Sequence, residues 1–239
     1  MAELYDQIQQ NYRDLYASDE MLSVLSRKIL QGKATQQDMA QYAQRTGELR
    51  SQALKSMLKL EDLPDGMTEE VADETMRPAL EEEWQDVNAK AALQLRGEDR
   101  KADRNIGIKT GFGPRRRIDD VVSMAVGQTT QEALDNALTD PVISLARKYY
   151  DDFMAENADL RSRLGFKEVV IRKYDDKGLH GGKDRCQWCL AREGTWSLEE
   201  AHANGVFERH PGCGCLIEVI TPAKTQVQTD WTRNAWTNI

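Results

Sequence analysis

Along the first two thirds of the chain the apolar positions fall on a helical period. Leu4, Tyr5, Ile8, Tyr12 and Leu15 recur every three or four residues, which predicts an amphipathic helix from Leu4 onward. Ser18-Asp19-Glu20 can cap a second helix, which carries Leu22, Val24, Leu25, Ile29 and Leu30 and stops at Gly32. Thr35 opens a third helix that runs to about Leu60. Its apolar residues (Met39, Tyr42, Leu49, Leu54, Met57, Leu58) are set widely among Gln, Arg and Lys, a pattern that predicts one narrow buried stripe. Leu63-Pro64-Asp65-Gly66 reads as a turn. Thr68 starts the next helix, with Glu69, Glu70 and Asp73 in the first turn, where the helix dipole favours them. Pro78 is expected to break or kink it before helical pattern continues to about Leu95.

Residues 97–117 read as a loop, with Gly97, Gly107, Gly111, Gly113 and Pro114 ahead of Arg115-Arg116-Arg117. Helical pattern returns at 118–125 and 129–138. Asp140-Pro141 then predicts an N-cap followed by the first helical residue of a long helix, which carries Val142, Leu145, Tyr149, Phe153 and Leu160 and ends at Gly165. The character changes there. Val169-Val170-Ile171 and the run from Cys215 to Ile220 read as short strands, and a Gly-rich segment, 178–182, leads to the first cysteines. Residues 221–239 are polar apart from Trp231 and Trp236 and read as an arm. The expected fold is mostly α: an extended helical N-terminal region (1–165), a small α+β zinc-binding C-terminal module (166–220) and a polar C-terminal arm (221–239).

Charge narrows the function classes. The formal net charge is -8, which excludes a uniformly basic nucleic-acid binder but leaves room for a local patch. Residues 161–192 supply one, with nine basic side chains against four acidic ones. A mean hydropathy of -0.67 is polar for a compact enzyme. No run approaches the roughly 18 apolar residues of a membrane span. Met1 to Asp6 is polar and acidic, without a signal-peptide pattern, so the expectation is a soluble protein made in a reducing cytoplasm with no membrane partner.

The four cysteines carry the strongest chemical signal. All lie between 186 and 215, too few for a disulfide scaffold and too tightly grouped for chance. Cys186 and Cys189 form a Cys-x-x-Cys pair; Cys213 and Cys215 form a Cys-x-Cys pair flanked by Gly212 and Gly214. Two such pairs can close one tetrahedral zinc site. His210 is a fifth candidate, either replacing Cys213 as a ligand or orienting the ligands from behind. A closed site is structural, since catalysis needs an open coordination position, and ligation would supply folding free energy to a module with little core.

At these residues the sequence resembles the C-terminal module of tailed-phage minor head proteins, the phage Mu F-like head morphogenesis family. The shared pattern is Cys-x-x-Cys, a Gly followed by Thr and an aromatic residue, then His-x-x-Cys-Arg-Cys and a strand. Cys186, Cys189, Gly194, Thr195, Trp196, His210, Cys213 and Cys215 match it; Gly214 stands where the family carries Arg. The resemblance is specific over residues 167–220. It implies a structural, non-enzymatic minor capsid protein of the virion. Such a protein sits near the portal vertex, is assembled in the host cytoplasm and acts in head assembly or DNA packaging. The implied partners are the portal protein, the major capsid protein and packaged double-stranded DNA.

Arg115, Arg116, Arg117, Arg172 and Lys173 are candidate contacts to DNA phosphates or an acidic partner face, and Trp231 and Trp236 are candidate partner anchors on the arm. Two alternatives stay open: a DNA-binding zinc module using the basic stretch, and a zinc-dependent nuclease or processing factor using His180 or His210. A deaminase is excluded because Cys186 and Cys189 lack the upstream His-x-Glu. Gly107-Ile108-Lys109-Thr110 lacks the first Gly and the preceding strand of a phosphate loop.

Overall fold

The computed structural model describes residues 2–110, 114–175 and 186–221. The helices run in the order α1 (Ala2–Ser18), α2 (Glu20–Leu30), α3 (Gln36–Met57), α4 (Glu69–Glu74), α5 (Met76–Lys101), α6 (Arg115–Ala125), α7 (Gln131–Ala137) and α8 (Asp140–Arg163). Then follow β1 (Val169–Lys173), α9 (Gln187–Leu190), β2 (Gly194–Ser197), α10 (Leu198–Ala203) and β3 (Leu216–Ile220). The protein is mostly helical with one small antiparallel sheet. The arm with Trp231 and Trp236, and the Gly-rich 178–182 segment with His180, lie outside the described residues. No helix among the described residues is long and apolar enough to cross a membrane.

The caps explain most boundaries. Asp19 accepts the Leu22 amide at 2.8 Å and starts α2. Thr35 and Asp38 form a capping box at the head of α3. Gly32 adopts φ +64° where the chain turns out of α2. The helix opened by Thr68 breaks ahead of Pro78 rather than kinking at it: α4 ends at Glu74 and α5 starts at Met76. Pro78 therefore falls in the first turn of α5, where its missing N–H would have had no partner.

Three expectations are corrected. α5 does not stop near Leu95 but runs through Gly97 to Lys101. Gly97 is a packing residue there, because a Cβ on it would lie 2.7 Å from the Gly32 carbonyl oxygen. α3 buries far more than one stripe: Ala40, Ala43, Thr46, Gly47, Arg50, Ser51 and Ala53 are enclosed along with its larger apolar residues. It is the central helix, packed by α1, α2, α5 and α8. α3 and α8 cross closely at Gly47, where a Cβ would lie 2.8 Å from that of Ala146 and 2.9 Å from the Ile143 Cα. α8 begins one residue earlier than the Asp140-Pro141 signal implies, with Thr139 preceding it.

The sheet has the order β2-β1-β3, both pairs antiparallel. Val170 and Arg172 of the central strand point inward, while Lys173 points out. The outer edge of β3 is held by Gln36, whose side chain accepts the Val219 N–H at 2.8 Å and donates to the Val219 carbonyl at 2.6 Å. That contact covers an otherwise open strand edge. One continuous apolar core runs from Ile8 through Tyr149 and Phe153 to Val170, Phe207, Ile217 and Val219, joining helices and sheet.

Candidate metal centre

The cysteine side chains converge where the sheet meets α8. Cys186 is the N-cap of α9, and its sulfur accepts the Cys189 amide at 3.4 Å, so the short turn aims both sulfurs the same way. The Cys186 amide donates to the Tyr174 hydroxyl at 3.1 Å, which fixes the entry to the turn. On the other side Gly212, at φ +78°, lets the chain reverse between His210 and Cys213, and its amide donates to the Ser144 hydroxyl of α8 at 3.0 Å. Cys189, Cys213 and Cys215 are buried and Cys186 is half-buried.

Five ligand atoms fall into two overlapping groups, Cys186/Cys189/His210 and Cys189/Cys213/Cys215, each with its atoms within 4.8 Å of one another. Cys189 belongs to both. Its sulfur lies 3.7 Å from that of Cys213, close to the ~3.8 Å edge of a tetrahedron with metal–sulfur bonds of about 2.3 Å. His210 Nε2 lies 3.1 Å from the Cys186 sulfur and 3.0 Å from the Cys189 sulfur. The ring's Nδ1 is 2.7 Å from the Pro211 carbonyl oxygen, which can only accept, so Nδ1 carries a hydrogen. In the neutral ring this turns the Nε2 lone pair toward the sulfurs, the arrangement of a metal-ligating histidine with a carbonyl behind it. His210 thus sits among the donor atoms. The cluster can hold a metal ion.

Electrostatics favour one ionised sulfur, that of Cys213. Arg172 is 1 % exposed and makes no ion pair with a carboxylate among the described residues. Its Nη1 donates to the Val206 and Glu208 carbonyls at 2.6 and 2.7 Å, and its Nη2 faces the sulfurs of Cys213 and Cys189 at 3.4 and 3.7 Å. Arg209, buried and paired with Asp151, also faces the Cys213 sulfur at 3.7 Å. A hydrogen bond from the Cys215 thiol, with Arg209 and Arg172, pulls the Cys213 thiol far down against the cost of burial. The Cys215 thiol moves up, through that same hydrogen bond and burial, and burial pushes Cys189 up to about 11. Without a cation the group can ionise at one sulfur; a divalent ion supplies the charge that lets the others follow. Arg147, on α8, completes the surround, donating to the Cys215 carbonyl at 2.7 Å.

The other sequence candidates separate. Arg172 is not a contact for DNA or a partner: alternation along β1 puts it on the inner face with Val170, against the sulfurs. Lys173 is exposed and pairs with Glu218. Arg161, counted in the basic stretch, is buried against Asp99 at 2.7 Å. Arg117 is held by Asp152 at 2.7 Å and by Glu208 at 3.3 Å. Arg115 and Arg116 are exposed at the start of α6 and make no ion pair among the described residues. His202 pairs with Asp159 at 2.9 Å, away from the cysteines. Sequence reasoning missed the roles of Arg147, Arg172 and Arg209. For Arg172 the signal was present, since a residue two beyond Val170 in a strand shares its face. No family model, curated protein or solved structure matches this chain.

Proposed function

We propose that this chain is a structural minor head protein of a tailed bacteriophage, placed near the portal vertex, with a zinc ion locking its C-terminal module. The observation that carries this reading is that Cys186, Cys189, His210, Cys213 and Cys215, the residues of the family-like motif, converge on one centre. Zinc suits a thiolate-rich set with an imidazole better than magnesium, calcium or manganese do. The donors outnumber the four positions of a tetrahedral ion, which leaves no open position for substrate and supports a structural, non-enzymatic role. Cys186, Cys189 and Cys215 with either Cys213 or His210 complete the set.

In this reading residues 1–165 dock on the portal protein or the major capsid protein in the virion, after assembly in the host cytoplasm. Exposed Arg115 and Arg116 support contact with an acidic partner face or packaged DNA. Two arginines at a helix N-terminus oppose the helix dipole, so an anionic partner there relieves a standing electrostatic cost of roughly 0.3–1 kcal/mol each. The test is co-sedimentation of the full chain with its cognate portal protein, with and without Arg115→Glu/Arg116→Glu. The reading predicts a stable complex weakened by the double substitution. A monomer with no affinity for portal or procapsid would overturn it.

A further inference from the structure

Away from the metal centre, the polar groups least satisfied in the interior lie under α1. The inner face of α1 buries Ile8 and Gln9 fully, while Tyr5, Tyr12, Leu15 and Tyr16 are only partly covered. The surface beneath is part of the apolar core but carries buried charge. Arg50 of α3 and Glu83 of α5 are each 1 % exposed. Arg50 donates to the Gln9 carbonyl oxygen at 3.2 Å and lies 3.7 Å under the Tyr12 ring. Among the described residues, Gln9 Nε2, Arg50 Nε and both Glu83 carboxyl oxygens make no well-formed hydrogen bond, although the Thr46 hydroxyl bears on Glu83. Burying such a group without a partner is unfavourable relative to leaving it hydrated.

The polar contacts of α1 are side-chain hydrogen bonds: Tyr5 to Glu82 at 2.6 Å and Asn11 to Ser56 at 2.9 Å on the rim, and Tyr16 with the buried Tyr42 at 2.8 Å and with Ser26 of α2 at 3.2 Å. Water can replace all of these. A cleft of 560 Å³ runs along one flank, between Leu4 and Gln7 of α1 and the 62–71 segment. The next helix is anchored differently. α2 buries Leu22, Leu25 and Ile29, and Arg45 grips its cap residue Asp19 at 2.7 Å. One residue, Asp19, separates the two helices.

We propose that α1 is a strap that opens as a unit about Ser18–Asp19 while α2 stays docked, and that opening is coupled to release of a proton from Glu83. Opening hydrates the unpartnered groups; among the described side chains of α1 itself, Ile8 is the apolar one that is fully buried, and the α3 face that α1 packs is uncovered with it. The groups that face Glu83 are Thr46 and Arg50 from α3, Asp86 from α5, Tyr12 from α1 and Tyr149 from α8. Burial pushes the Glu83 carboxyl up to about 8; Arg50 pulls against this and Asp86 adds to it. The docked state therefore keeps the proton across the range in which an open, hydrated Glu83 would lose it. Docking is strongest below the ordinary glutamate range and weakens as pH rises toward about 8.

The experiment is residue-resolved hydrogen exchange on the full chain at about pH 5.5 and about pH 8, corrected for intrinsic rates. The expected result is that amides of α1 open more readily than those of α8. Their opening constant rises on the order of 10- to 100-fold between the two conditions. Glu83→Gln, neutral at both, removes the rise, and Glu83→Leu does the same while filling the site. The proposal is overturned if α1 is as protected as α8, if α8 shows an equal rise, or if the rise persists in both variants.

Discussion

Arg172 shows how much a single side chain can mislead when its partners are out of view. Its charge and its basic neighbours suggest a solvated face, yet it is enclosed against two sulfurs and two carbonyls. A buried guanidinium needs compensating negative charge, and here the thiolates provide it. Replacing it with Met leaves the Val206 and Glu208 carbonyls without their donor and the sulfurs without a cation. Residues that support metal ligands from behind typically contribute 10- to 100-fold in affinity. Arg172→Met is therefore expected to weaken metal binding by about that factor in competition with a chromophoric chelator, with Arg172→Lys in between. Unchanged affinity in both variants would remove Arg172 from the site. The cysteines were legible from spacing alone because their chemistry is local. The arginines were not, because charge in a sequence carries no information about which carboxylate or sulfur will meet it.

At the scale of elements, caps were legible and glycines were not. Asp19, Thr35 and Thr68 act through neighbours three residues away, so their meaning is readable in the chain. Gly97 and Gly47 act through elements far off in sequence: Gly97 against Gly32, Gly47 against Ile143 and Ala146. The same distance effect turned α3 from an expected one-stripe helix into the centre of the bundle. Gly47→Ala weighs two opposed terms. Ala is favoured over Gly in a helix by roughly 0.5–1 kcal/mol. The added methyl, 2.8–2.9 Å from atoms of α8, costs about 1–3 kcal/mol in overpacking. The second term is larger because one obstacle is backbone. A net loss of about 1–2 kcal/mol is expected in denaturant unfolding; a variant as stable as the parent would mean the crossing relaxes freely.

For the whole molecule, the metal centre is joined to a core it does not hold up alone. Gln36 grips β3, Arg161 links Asp99 at 2.7 Å to Thr221 at 3.2 Å, and Lys148 of α8 donates to the Phe207 carbonyl at 2.9 Å. Most residues of the shared core belong to the helices. Metal loss should therefore loosen the segment from Cys186 to Cys215 while most helical structure persists. Trp188 reports on that segment directly, stacked under Arg192 at 3.8 Å and edge-on to His210 at 5.4 Å.

We propose that one structural metal ion is held by the motif residues. The direct measurement is metal content per chain on protein purified without chelator, for the parent and for Cys189→Ser, the cysteine shared by both donor groups. One zinc per chain in the parent, lost in the variant with the helical circular dichroism largely kept, is the predicted result. A parent without metal, or a variant that keeps a full equivalent, would contradict the account.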